Sequence, residues 1–205
     1  KDFMNYQIMD QMKEYEPEFD QMLFYLPLSG STFKKVYYDD LLGRAVSKFV
    51  QAEDLIVPYT ASSLEDAEAI VHVISMSEND LRKQQVGGFY RDVELGSAPI
   101  EQNEVKTKQL ELEGVTRNDQ QNDNMFRVLE VHTNLDLEDY PDVDVNGEQT
   151  GIKLPYIITI LEGNKNEILS IRRNYEPDDP LKKKKNYFVQ FKFLPGTGFY
   201  GFGLI

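Results

Sequence analysis

The stretch "IKLPYIITILEGNKNEILSIRRNYEP", from Ile152 to Pro177, constrains the fold more than any other. Two runs rich in β-branched residues flank a turn at Gly163 to Asn166, which is the pattern of a β-hairpin. Adjacent strands joined by so short a connection pair antiparallel, so at least part of the sheet is antiparallel. Other segments add to it. "TFKKVYY" and "RAVSKFV" flank a turn at Asp39 to Gly43 and read as a second hairpin. "EDLIVPY" is a short extended run that stops at Pro58 and Tyr59. "AIVHVISM" (Ala69 to Met76) and "MFRVLEVH" (from Met125) read as strands, and "NYFVQFKFL" as the last one.

Helices are few. Ile8, Met12, Tyr15, Phe19 and Met22 share one helical face, with a break expected at Pro17 and an end at Pro27 and Ser29 to Ser31. Ser62 and Glu65 have capping-box spacing, yet the β-branched run that follows leaves room for at most one turn of helix. Ser77 caps "ENDLRKQQV", which Gly87 and Gly88 end. The expectation is an α+β fold, a mixed and largely antiparallel sheet with a few helices. Three parts follow: 1–95, helix plus α+β; 96–124, a long polar loop or a weak helix from Val105 to Leu112; and 125–205, β-rich. Thr116 to Asn124 is nearly without apolar residues and reads as mobile.

The chain has no cysteine, which excludes disulfides and thiolate metal sites. No apolar run approaches the roughly 20 residues of a membrane-spanning helix. It opens on Lys1 and stops on "GFGLI", so it reads as a piece of a longer protein. A net charge of −13 disfavours binding to nucleic acid phosphates. The basic block Lys182 to Lys185 reads as a solvated loop offsetting Glu176, Asp178 and Asp179, with a phosphate-contacting patch as the alternative.

Four motifs bear on chemistry. Gly196, Gly198 and Gly201 spell G-x-G-x-x-G, but no helix follows to offer N–H groups to a phosphate, and Phe199, Tyr200 and Phe202 crowd the loop. A glycine-rich turn or hinge fits better. Asp142, Asp144, Asn146 and Gly147 open like a calcium loop, but Lys153 stands where the bidentate acid belongs, so a tight turn is the better reading. His72 and His132 each lie in a strand-like run without a second histidine or a cysteine nearby, which reads as packed or half-exposed residues, with a ligand or general base as the alternative. Some pair among 35 acidic residues could always be nominated as hydrolase carboxylates, so that signal has little specificity. The residues alone therefore assign no catalytic, cofactor-binding or metal-binding group.

Three longer strings carry more. "LPLSGSTFKKVYYDDLLGRAVSKFV..EDLIVPYTA" (from Leu26), "MSENDLRKQQVGGFYRDVEL" (from Met76) and "YEPDDPLKKKKNYFVQFKFLPGTGFYGFGL" (from Tyr175) resemble the portal protein of short-tailed bacteriophages. Asp40 and Gln51 depart from that pattern, standing where such sequences carry proline. The resemblance implies a structural subunit and no enzyme, in a virion and assembled in the host cytoplasm. Such subunits form a ring, usually dodecameric, at one capsid vertex. It serves DNA packaging and ejection, with terminase large subunit, capsid and tail proteins as partners and duplex DNA passing through unheld. This chain would be the wing region, with "LPGTGFYGFG" leading toward the channel segments. The alternatives are a hydrolase using a carboxylate pair and a calcium-dependent binding module.

Overall fold

The computed structural model describes residues 1–40, 42–96, 125–143, 147–163 and 166–204. A short helix α1 (Asp2–Tyr6) runs into a π-helical turn (Gln7–Gln11), and α2 (Tyr15–Ser29) follows. The break falls at Met12, whose backbone leaves the helical region, and not at Pro17. Pro17 is the third residue of α2, where N–H groups have no intrahelical acceptor, so its missing donor costs little. The helix ends at Ser29, within the expected stretch, though Pro27 itself does not stop it. Pro27 sits inside the last turn, and Gly30 closes the helix in the left-handed conformation (φ 73°), donating its N–H to Leu26 O at 3.0 Å.

Two sheets follow. In the first, β1 (Ser31–Asp39) lies between β2 (Arg44–Val50) and β8 (Phe188–Lys192), antiparallel to both. The register places Phe33 opposite Val50 and Gln190, and Lys34 opposite Phe49 and Val189. The second sheet runs β3 (Leu55–Ile56), β4 (Ala69–Ser77), β5 (Met125–Leu135), β6 (Leu154–Leu161), β7 (Glu167–Arg173). At the β6–β7 turn, Asn166 takes a positive φ and accepts the Gly163 N–H on its side chain. This is the expected hairpin, and the fold is α+β with largely antiparallel sheets.

Residues 62–68 form turns and no helix. A reciprocal pair forms one residue later than Ser62 and Glu65: Ser63 N–H donates to Asp66 at 2.7 Å, and Asp66 N–H to Ser63 Oγ at 3.3 Å. α3 (Glu78–Val86) starts as expected, with Asp80 N–H donating to Ser77 Oγ. The stretch 97–124, with the expected weak helix Val105 to Leu112 and the run Thr116 to Asn124, lies outside the described residues.

The chain divides into two compact units that cut across the segments 1–95 and 125–205. The first comprises residues 1–72, 132–156 and 173–205. Its core gathers Phe33, Val50, Leu55, Leu64, Ile70, Phe188 and Phe199, with a smaller cluster of Leu154, Tyr156 and Tyr175. The second comprises residues 73–131 and 157–172. Its core holds Leu81, Leu95, Phe126, Val128, Leu161 and Leu169, and Ser170 Oγ donates to Thr159 Oγ1 between β7 and β6. No helix among the described residues is long and apolar enough to cross a membrane.

Candidate functional site

The motifs singled out in the sequence fall in the first unit, and its geometry decides what each can do. The glycine segment from Leu194 to Gly203 folds back on itself through a bridge between Leu194 and Phe202. Gly201 N–H donates to Ser31 Oγ at 2.7 Å, and Leu204 N–H to Pro27 O at 2.8 Å. A Cβ on Gly201 would stand 2.6 Å from Gly30 O, and one on Gly203 2.6 Å from Leu28 O. Glycine is required there for backbone-to-backbone approach, since neither residue has a positive φ. Phe199 is buried and stacks on Phe33 with ring centroids 5.8 Å apart, and Tyr200 O–H donates to Leu55 O. The segment is therefore seated on the junction of α2 and β1. Its N–H groups at Gly201 and Leu204 are committed to the protein itself, not turned toward a phosphate.

The lysine block is a clasp more than a solvated loop. Lys182 pairs with Asp142, and Lys185 with Glu176 at 2.5 Å. Lys184 reaches inward and donates to Leu64 O (3.0 Å) and Ala67 O (2.9 Å), which ties the block to the turn before β4. Burial pulls the Lys184 ammonium below its ordinary pKa, whereas Glu176 raises that of Lys185. Asp179 accepts the backbone N–H groups of Lys183 and Leu181, which lowers its pKa. A cation satisfied in this way releases few counterions from DNA.

Asp144 and Asn146 lie outside the described residues, but Asp142 and Gly147 bracket them. Lys182 and Thr150 hold the Asp142 carboxyl below the usual range. Val143 bridges Gln149, and Gly147 has φ 84°, as in a tight turn. Among the described residues no group of three or more acids, histidines or cysteines is arranged for a metal ion.

A groove of about 420 Å³ runs past Glu65, Asp66, Asp142, Lys153 and Lys184. A carboxylate general acid needs a raised pKa. Asp66, held by the N–H and hydroxyl of Ser63, and Asp142 are both shifted downward. His132 is buried, and both histidine rings make T-shaped contacts with Phe188, with centroids 5.5 Å (His72) and 5.3 Å (His132) away. The void beside His132 measures about 20 Å³, space for a single water.

Lys34 is among the buried charges that had no counterpart among the motifs. It is 4% exposed, and its ammonium lies 4.1 Å from the centroid of Tyr15 and 5.2 Å from that of Phe19. Those two rings stack nearly parallel, 5.8 Å apart. Burial depresses the Lys34 pKa, and Glu18 and Glu14 oppose that shift. Around it Arg44 pairs with Glu14 at 2.7 Å, and Phe49 N–H donates to Glu18. The first turns of α2 thus dock on β1 and β2 through charges and cation–π contacts. The Lys34-Lys35 pair, set between Phe33 and Val36 in one strand, was the available signal: adjacent strand residues face opposite sides, so one lysine must face whatever covers each side.

Compared with models of known protein families and with curated proteins, the chain matches none.

Proposed function

We propose that this chain is the wing part of a phage portal subunit, a structural element of the ring through which DNA is packaged and ejected. One observation carries the reading. The first and third resembling strings, far apart in sequence, meet in one structural unit. β1 and β2 come from the first, β8 from the third, and Gly30 of one abuts Gly201 of the other. The satisfied lysines and the charge of −13 also suit a conduit that must not hold its cargo. In this role the chain is not an enzyme, carries no cofactor, and works in the virion with terminase, capsid and tail proteins as partners.

The test is negative-stain electron microscopy of a polypeptide extended at both ends along the portal pattern. Rings with a central channel support the proposal. A uniformly monomeric extended protein, or turnover of a hydrolase substrate by the pure chain that is lost on carboxylate substitution, overturns it.

A further inference from the structure

Met22 to Leu28 reads Met-Leu-Phe-Tyr-Leu-Pro-Leu, seven apolar residues in a row on a helix. A single helical face cannot take them all, and a helix apolar all round belongs in an interior. In the structure α2 buries one side: Met22 is 1% exposed and Tyr25 meets Phe49. The other side is open, with Leu23, Phe24 and Leu28 exposed by 48%, 70% and 46%. The C-terminal segment continues this surface. Leu204 is tied to Pro27 through its N–H, and Phe202 is paired with Leu194. All three are about half exposed or more. At these fractional exposures the two phenylalanines and four leucines together present on the order of 600 Å². That is the upper end for the largest apolar patch of a monomer, and near the roughly 800 Å² that one partner contributes to a stable interface.

The same chain carries a second unsupported apolar surface. α1 and the π-helical turn bury no residue at all. Phe3, Met4 and Met9 are 69%, 61% and 72% exposed. A helical stretch this short is marginal in water unless a surface holds it. Its own patch is not that surface. In the structure the arm leaves that patch open, with Leu23, Phe24 and Leu28 all exposed.

We infer that residues 1–11 of one copy dock on the patch formed by α2 and the C-terminal segment of a second copy. Two different surfaces in contact make a head-to-tail interface, which closes into a ring or propagates. The inference deepens the portal reading and rests on it only for closure. The contact itself is tested on this chain, whichever way the ring experiment turns out.

The experiment is sedimentation equilibrium from about 10 μM to about 1 mM, the range of a small interface. It compares the wild type with an arm variant (Met4→Asp, Met9→Asp) and a patch variant (Phe24→Asp, Leu28→Asp). All four positions are exposed, and circular dichroism checks each fold; Met9→Ser and Phe24→Ser replace any pair that unfolds. The wild type should grow past dimer mass with concentration. Each variant alone should stay monomeric, and an equimolar mixture should form a 1:1 dimer and stop, because only one intact arm and one intact patch remain. A wild type that stays monomeric throughout overturns the inference. So does a mixture that fails to associate, or an arm variant that still dimerises through like patches.

Discussion

Three glycines separate backbone strain from steric crowding, and together they test how the C-terminal segment is seated. Gly43 has φ 63° with nothing within 4 Å of where a Cβ would stand, so Gly43→Ala adds strain alone, about 1 kcal/mol. Gly201 lacks a positive φ, but its Cβ would meet Gly30 O at 2.6 Å and Leu194 O at 2.7 Å, so Gly201→Ala adds crowding alone, about 1–3 kcal/mol. Gly30 carries both burdens: φ 73°, and a Cβ 2.5 Å from Gly201 O, Phe202 C and Gly203 N. These are backbone atoms and cannot rotate away. Relief requires moving the segment, which strains the hydrogen bonds from Gly201 to Ser31 and from Leu204 to Pro27. Summing strain, overlap and one weakened hydrogen bond gives roughly 3–5 kcal/mol for Gly30→Ala. For a chain of this size that is a fall in Tm of roughly 10 °C. Differential scanning fluorimetry of the three variants should rank them Gly43→Ala, Gly201→Ala, Gly30→Ala in order of increasing loss. A Gly30→Ala protein melting no lower than Gly43→Ala would refute the seating, because nothing would then press on that Cβ.

Other outcomes follow from the clasp and the buried charge. Lys184→Ala should cost about 1–3 kcal/mol by stranding two carbonyls, whereas exposed Lys183→Ala should be nearly silent; paired chemical denaturation checks this. Asp142 titrates below its unfolded value, so its contribution is present above about pH 4 and fades as pH falls through the lower folded pKa. The Tm gap between wild type and Asp142→Asn should therefore close on acidification below pH ~4, and a gap that instead widened there would reverse the assignment. Lys34→Met, which keeps the stem and removes the buried ammonium, should be less damaging than Lys34→Ala in the same assay. Labelled duplex DNA should give flat fluorescence anisotropy up to tens of micromolar protein at physiological salt, on the scale of non-specific binding; a salt-sensitive rise abolished by replacing Lys182 to Lys185 would recast the chain as a DNA-gripping module.

Local signals carried most of the elements. The Gly163 to Asn166 turn, the Ser77 cap and the β-branched run at Ala69 each speak through near neighbours, and the structure has a hairpin, a capped helix and a strand there. What stayed hidden depends on distant partners. Nothing near Gly201 in sequence announces that Gly30 will stand against it, so its glycine looked like a bend and not a close approach. Lys184 looked solvated because Leu64 O and Ala67 O are more than a hundred residues away. Pro17 and Pro27 misled for another reason. A proline's cost depends on whether its turn needs the missing donor, and the first turn of α2, where Pro17 sits, does not; Pro27 is tolerated in the last turn, just before Gly30 closes the helix.

The central place of β1 also sets an order of events during folding. Its partner β2 is a hairpin's reach away, whereas β8 begins about 150 residues downstream of it. The near pairing can form in microseconds. The far one must wait until that whole intervening length has left the ribosome. Until then Phe33 lacks Phe199, its stacking partner, and β1 offers an open edge to any other strand in the cell. Newly made chains therefore pass through a vulnerable interval that ends only when β8 arrives. Truncations that remove β8 should aggregate during synthesis, before any question of assembly arises.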